Sequence, residues 1–374
     1  MEYREYELGD LLFYEQPTPY IVETTDYDDS YKTPVLTAGK TFVIGFTNET
    51  RGIYDKLPVI IFDDFTTSTQ YVNFKFKVKS SAMKILTANT ELVLPKYMYY
   101  RMQLIEIDHS THKRYWIQQY SKVRISIPPI SEQERIIYKI EELFSELDNA
   151  EETLLKTREQ LGIYRQAVLK SVFSGIEKTE SIRRMSSVVT SGSRGWAKYY
   201  SDHGAKFIRI GNLTRDRLLI DLADTQYVDL PDSVEGRRTR LHPNDVLVSI
   251  TADLGSIGLV PTDIGEAYVN QHIAMVRFCN ENQSEFFAWY LRSDFGQKDL
   301  LKNKRGGGKL GLGLDDIRDS RVPVVSDEEA ESIVLEIESR LSVCDSIEQT
   351  VSESLQQLQA MRQSILKKAF EGKL

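Results

Sequence analysis

Residues 127–136 read IPPISEQERI, two prolines followed by the start of a helix. The same junction returns in altered form at residues 322–333 as VPVVSDEEAESI, 195 residues further along the chain. Ser131 with Glu134, and Ser326 with Glu329, have capping-box spacing, in which each side chain satisfies a backbone N–H left unpaired at the helix start. Pro128, Pro129 and Pro323 hold the preceding chain out of the helical region. The second copy keeps the cap but lacks one proline and the glutamine of SEQE.

Behind the first junction, apolar residues recur at spacings of mostly four and three: Ile136, Ile140, Leu143, Leu147, Ala150 and Leu154, then Leu161, Tyr164 and Val168, with Thr157 as a polar break. Behind the second run Ile333, Ile337, Cys344, Ile347, Val351, Leu358, Met361 and Ile365, interrupted by Arg340 and Ser354. A stripe of this period sustained over several heptads is that of a coiled coil. At ~1.5 Å per residue each helix would reach about 60 Å, with a local bend expected at Gly162, a poor helix former. The copies end alike, as RQAVLKSVFSG (165–175) and RQSILKKAFEG (362–372), at an offset of 197. One reading packs each helix on its own domain. The other, favoured by helix length and by the matched ends, pairs the two helices antiparallel, with Cys344 a small buried apolar residue.

A chain of 374 residues has room for two or three domains, and its 41% hydrophobic and 27% charged content is that of a globular protein. It contains no long apolar run, is charged from its second residue, and has two cysteines far apart, Cys279 and Cys344. These features predict a soluble cytoplasmic protein without a secretory signal, membrane span or disulfide framework. The net charge of −8 argues against a nucleic-acid partner until it is located: residues 132–173 carry −3 and residues 327–373 carry −5. The rest of the chain is neutral overall, so basic surfaces can form there.

The two helices divide the chain into residues 1–127 and 179–322, which read as similar β-rich segments. In the first, PVLTAGKTFVIGF and PVIIFDDF are expected strands, and YVNFKFKVK alternates Phe74, Phe76 and Val78 with Lys75, Lys77 and Lys79. In the second, KFIRIGNL, DVLVSI and AYVNQHIAMVRF take corresponding places, and a short aromatic helix follows these strands in each half, PKYMYYRM or SEFFAWYLR. The expected organisation is an internal duplication of domain and helix. Basic residues cluster at RGWAKYY (194–200), at Arg209, Asn212, Arg215 and Arg217, at EGRRTR, at KNKRGGGK (302–309) and at HKRYW (112–116). Arg and Lys neutralise phosphates and read guanine, while Asn and Gln read adenine. Each cluster alone can be a solvated face; their presence in both halves favours nucleic acid.

Catalytic patterns are missing. KNKRGGGK lacks the upstream glycine and trailing Ser/Thr of a P-loop. His109 and His112 have metal-ligand spacing without further ligands nearby. Asp63 and Asp64 are adjacent strand residues that point to opposite faces, a poor acid–base pair.

These motifs carry a resemblance. PPISEQERI leading into a long helix resembles the conserved regions of the specificity subunits of type I restriction–modification systems. EQPTPY, PVLTAGK, IIFDDFTT and KVKSSAMK are similar to one class of that family's target recognition domains, and RGWAKYY, FIRIGNLTRD, VSITADLG and NQHIA to another. The resemblance spans essentially the whole chain, and its motifs occur in the family's order.

It implies an α+β chain: two β-rich target recognition domains, 1–127 and 179–322, separated by two long antiparallel helices, 128–178 and 323–374, in a coiled coil with pseudo-twofold internal repeat. It further implies that each domain reads one half of a bipartite DNA site. Two methyltransferase subunits would methylate adenine at N6 with S-adenosylmethionine, and a restriction subunit would use ATP and Mg. No cofactor or metal is expected on this chain, which lacks a methyltransferase Asn/Asp-Pro-Pro-aromatic motif and would be non-catalytic.

Candidate base-reading residues are Thr66, Thr67, Lys79 and Ser81 in the first half and Lys198, Tyr199, Arg215, Thr251, Asn270 and Gln271 in the second. Thr66, Thr67 and Ser81 have turn formation as their alternative role. Lys113, Arg114, Lys304, Arg305 and Lys309 are candidate phosphate contacts, which position without reading. The coiled-coil core is expected from Ile136, Ile140, Leu143, Leu147, Leu154 and Leu161 with Ile333, Ile337, Ile347, Val351, Leu358 and Ile365. Two other readings stand beside this one: a coiled-coil adaptor whose domains bind proteins, and a specificity subunit serving a fused methyltransferase–nuclease.

Overall fold

The computed structural model describes residues 3–37, 41–107, 114–192, 194–230, 234–304 and 311–374, without the side chains of residues 234, 235 and 303. Two helices of 44 residues dominate it, Ile130–Phe173 and Asp327–Phe370. The first is continuous through Gly162, whose α-carbon faces open space. The chain divides into two compact units, one of Met1–Leu154 with Glu353–Leu374 and the other of Leu155–Ser352, so each unit contains part of both helices.

Both units are built on one topology. In the first unit, strand Arg4–Glu7 pairs with Arg124–Ile127, immediately before the long helix. A four-stranded antiparallel sheet follows in the order Leu12–Glu15, Met83–Ala88, Val59–Asp63, Thr69–Val72. A second sheet places Thr33–Leu36 between antiparallel Val43–Thr47 and parallel Lys77–Val78.

In the second unit Thr179–Ser181 pairs with Arg321–Pro323. Its four-stranded sheet runs Ser186–Ser191, Ile273–Phe278, Val246–Ser249, Ile257–Leu259, the same order and sense. Its second sheet again has one parallel pair, Ala205–Ile208 with Ala267–Val269. The expected aromatic helices are Pro95–Met102 and Ser284–Arg292, and each covers its four-stranded sheet with apolar side chains.

The lysine-rich stretch departs from simple alternation. The strand stops at Val72 and resumes at Lys77, so the two-residue period is broken between them. Phe74 is therefore exposed, while Lys77 is buried with its Nζ 2.7 Å from Glu49 and donating to the Arg51 carbonyl. AYVNQHIAMVRF is likewise two strands; Asn270, Gln271 and His272 form the link by which the chain changes sheets.

The two junctions reach the same end differently. The first helix starts at Ile130, with the Pro129 carbonyl accepting from Glu132 and Gln133, so Ser131 lies inside the first turn and not at the cap. Gln133 is fully buried: its Oε1 accepts from Leu94 N–H, and its Nε2 donates to the carbonyls of Leu92 and Pro128. In the second junction Ser326 does cap, accepting from Glu329 N–H. The missing glutamine is replaced from the domain side, where buried Gln283 donates to the Val325 carbonyl and to Asp327.

Within the helices, Ile136, Ile140, Leu147, Leu161, Ile337, Val351 and Leu358 are buried, and Leu143, Leu154, Ile333 and Ile365 are half-buried. Ile347 is a correction: it is 39% exposed, as are Tyr164 and Met361 to a greater degree. Continuing the spacing of buried Ile337, Leu341 and Cys344 puts the next inward positions at 348, 351, 355, 358 and 362. Two of these hold Glu348 and Arg362, and an apolar search steps past each to its neighbour, Ile347 or Met361. On the first helix Arg165 is inward and Tyr164 beside it is not.

In the first unit Arg362 bonds Asp148 and Glu151, and lies over the Phe144 ring. In the second, Arg165 bonds Asp345 and Glu348. Partner numbers fall along one helix as they rise along the other, which makes the pair antiparallel.

Candidate nucleic-acid interface

In each unit the pairing of the two central strands decides what their ends carry. In the first unit Asp63 lies opposite Met83, so the hairpin turn after Asp63 and the sheet-changing loop before Met83 share one sheet end. Thr66 and Thr67 occupy that turn. Thr66 donates its hydroxyl to Asp63 Oδ2 at 2.7 Å, and Thr67, at φ +59°, donates to the Thr66 carbonyl. Both hydroxyls thus serve the turn, the alternative role that the sequence left open. Lys79 and Ser81 lie exposed on the neighbouring loop, which meets the turn where Asp64 N–H donates to the Ala82 carbonyl.

Asp64 is the anchor of this end. It is buried, with Lys84 Nζ 3.4 Å away, and its Oδ1 accepts from Trp116 N–H at 2.8 Å while its carbonyl accepts from Tyr115. The basic segment HKRYW therefore ends on the turn, with Arg114 exposed beside it. Lys113, like His109 and His112, lies outside the described residues.

The second unit repeats the plan. Ser249 lies opposite Ile273, so the turn after Ser249 and the loop 270–272 share a sheet end, joined by Ile250 N–H to the His272 carbonyl. Ala252, at φ +58°, occupies this turn as Thr67 does the first. Thr251 is half-buried, Asn270 is buried and Gln271 is half-buried. Gly192 presses on this loop so closely that a Cβ there would sit 1.9 Å from the Val269 carbonyl oxygen, which leaves no room for another residue.

Described residues at the start of the basic segment 302–309 carry charge, and those just beyond its end lie by this turn. Lys304 is exposed at its start, and beyond its end Gly311 bridges Thr251 while Leu312 donates to Ile250. Arg305 and Lys309 lie outside the described residues.

Arg215 and the pair Lys198–Tyr199 sit elsewhere. Arg215 bonds Asp253 Oδ1 at 2.5 Å on the far side of the same turn, an engagement that opposes a free base-reading role. Arg215 and Ser256 together hold the Asp253 carboxyl below its ordinary range. Arg292 donates to the carbonyls of Arg215 and Arg217, and burial pushes its guanidinium down to about 10. Lys198 lies over the Tyr199 ring at the edge of the second sheet, where the Tyr199 carbonyl accepts from Asp229 N–H.

One residue was missed by sequence reading. His272 stands between Thr251 and Gln271, its Nδ1 2.8 Å from Thr251 Oγ1 and its Nε2 2.8 Å from Gln271 Nε2. With Asn270, Arg209 and Asp221 it lines an open cleft of about 400 Å³. A lone histidine in NQHIA carries no spacing signal; only the turn contributing Thr251 gives it meaning. Asn212, in contrast, is buried and fully engaged with Arg209 N–H and the carbonyls of Asp221 and Asp224. Among the described residues, no group of three or more His, Cys, Asp or Glu could hold a metal, and no helix is long and apolar enough to cross a membrane.

Comparison with known proteins adds four findings. Residues 198–357 match the type I restriction modification DNA specificity domain. The specificity subunit of the Escherichia coli type I restriction enzyme EcoR124I/EcoR124II is 54% identical over 126 residues, 32% of this chain and 31% of that one. The Escherichia coli EcoBI specificity subunit is 26% identical over 280 residues, 67% of this chain and 58% of that one. The matches thus span about a third and three-fifths of those relatives. A solved chain, from work on complex assembly and conformational transition of the type I R-M system, aligns over 100% of this chain and 98% of its own with a TM-score of 0.70. At 16% identity that likeness concerns the fold.

Proposed function

We propose that this chain is a specificity subunit of a type I restriction–modification system, whose DNA specificity domain matches residues 198–357, and that it is the DNA-reading, non-catalytic subunit of such a complex. Residues 1–127 and 179–322 are its two target recognition domains, and residues 128–178 and 323–374 its spacer helices. Each domain reads one half of a bipartite, asymmetric site. The observation that carries this reading is the recurrence in both units of one arrangement: a hairpin turn and a sheet-changing loop share one sheet end, and the residues that follow a basic stretch of sequence, Tyr115 in one and Gly311 and Leu312 in the other, are bonded to the turn. Polar tips beside cations suit base contacts flanked by phosphate contacts.

The partners are double-stranded DNA, two N6-adenine methyltransferase subunits and a restriction subunit. S-adenosylmethionine and ATP with Mg would be bound by those subunits, in the cytoplasm. Support for two copies of one partner comes from the helices. Tyr138 and Leu335, at equivalent positions of the repeat, are 71% and 59% exposed. Tyr164 and Met361, also equivalent, are 49% and 50% exposed. Unpaired large apolar residues in matching places suit two matching contacts.

Exchange of residues 1–127 for another recognition domain tests the reading, with N6-methyladenine mapped across DNA from cells that also express the methyltransferase. One half of the methylated site should change and the other stay. An unchanged site, or DNA binding indifferent to salt, refutes the proposal.

A further inference from the structure

We propose that His272 is a positioning residue that fixes which hydrogen-bonding groups Gln271 and Thr251 present to DNA, and that the base so read is a purine in the half-site of residues 179–322. The inference rests on the DNA-reading function proposed above and goes beyond it to the selection of one base.

The argument begins with the ring. A neutral imidazole carries one N–H and one lone pair, so its two nitrogens have opposite roles. An amide nitrogen can only donate. Gln271 Nε2, 2.8 Å from His272 Nε2, therefore makes that ring nitrogen the acceptor. The ring proton then sits on Nδ1 and is given to Thr251 Oγ1, also at 2.8 Å. Thr251 accepts from the ring, which leaves its hydroxyl hydrogen to be donated elsewhere. Gln271 has one N–H committed and keeps its carbonyl oxygen and second N–H.

An amide oxygen with an N–H beside it matches the N6–H and N7 of adenine, and a hydroxyl donor matches N7 of either purine. The loop is held for this purpose from behind: Asn270 Oδ1 accepts from His272 N–H at 3.0 Å, and Gly192 N–H donates to the Asn270 carbonyl. Arg209 lines the same cleft with its guanidinium 3.8 Å from the exposed Asp224.

Orientation, and not stability, is what the ring supplies. Thr251 and Gln271 are half-exposed, so water could satisfy them without it. What water cannot do is hold both side chains in one donor and acceptor pattern.

The test uses the complete complex of this chain with its methyltransferase, on duplexes varied one position at a time through both half-sites. His272→Phe, which removes both ring contacts, should lower discrimination at one purine position by on the order of tenfold, leaving the other half-site and the melting temperature unchanged. Gln271→Ala should weaken discrimination at that same position, and the double variant should be no worse than His272→Phe. His272→Asn, which restores one of the two bonds, should recover part of the loss.

Unchanged discrimination in His272→Phe, or a loss spread equally over both half-sites, overturns the proposal. Should His272→Phe fail to fold, His272→Asn alone decides, by a loss confined to one purine position or none. If the wild-type complex reads no split site, the broader reading fails first; if it does and the variants match it, only this inference fails.

Discussion

Arg165 donates from Nη2 to Asp345 Oδ1 at 2.5 Å, and the duplication repeats this bond as Arg362 with Asp148. All four residues, with Glu348 and Glu151, stand at an offset of 197 from their counterparts. Each copy thus contributes the arginine of one clamp and the acids of the other. Arg165 is 15% exposed and Glu348 33%, while Asp345 is 64% exposed and so well screened. Removing Arg165 should cost about 1 kcal/mol after that discount. Arg165→Glu should cost more, and adding Glu348→Arg should recover part of it. A double-mutant cycle by urea unfolding with no coupling between 165 and 348 contradicts the clamp.

Gln133 is the costlier junction residue. Gln133→Ala would leave the Leu94 N–H and the Leu92 and Pro128 carbonyls without this partner, the Pro128 bond being the fully buried one. At about 1–3 kcal/mol for each stranded group, softened by relaxation, a loss of roughly 2–4 kcal/mol is expected. Gln283→Ala should cost less, about 1–2 kcal/mol, because its partner Asp327 is exposed. Equal effects in denaturant titration would show that the two junctions are not held as described.

Asp64 and Lys84 are both buried, so breaking the pair from one side leaves an uncompensated charge. Lys84→Ala is expected to cost about 3–5 kcal/mol. It should also loosen Tyr115 and Trp116 from the turn, read as faster amide exchange there. Fast exchange already present in the wild type would remove the basis for this expectation.

Asp253 supplies a pH dependence. Its carboxyl is held low by Arg215 and Ser256, so it is ionised in the folded chain at pH values where the unfolded chain begins to bind a proton. The contribution is complete above the ordinary Asp range and is lost as pH falls through the lowered folded value. Asp253→Asn should abolish this acid-side loss and leave neutral pH behaviour of the sheet intact. An acid titration followed by the Asp253 carboxyl resonance checks it; a midpoint at or above the ordinary Asp value would count against the tie.

Tyr138 and Leu335 test the two-partner reading. Tyr138→Glu and Leu335→Glu should each remove one methyltransferase copy from the assembled complex, and together both, as read by native mass measurement. Both residues are solvent-exposed on the helices, so neither change should lower the melting temperature by more than a degree or two. Full occupancy in the double variant would exclude these residues as contacts.

Much of the architecture was legible because periodicity is a local property. The aromatic helices Pro95–Met102 and Ser284–Arg292 begin and end where their sequences suggested. The long helices were legible from spacing, yet their charged inward positions were not. Arg165, Glu348, Arg362 and Glu151 look like solvent residues until a partner helix is laid against them. Ser131 misled for a related reason: Pro129 starts the helix earlier, and nothing in SEQE distinguishes a cap from a first-turn serine.

The candidate interface was legible only in part. Thr66 and Thr67 stood out as polar residues after an apolar strand, which describes turn formers and base readers alike, and their hydroxyls serve the turn. Arg215 stood out as a cation, but its partner Asp253 is 38 residues away.

By itself, the sequence determined what depends on neighbours along the chain: the helices, the duplicated order, the basic segments and the family motifs. Tertiary structure alone decided which residues share a sheet end, that Gln283 replaces the glutamine missing from the second junction, and that His272 joins Thr251 to Gln271. Strand pairing brings residues together across loops of any length, and a hydrogen bond depends on that proximity and not on separation along the chain.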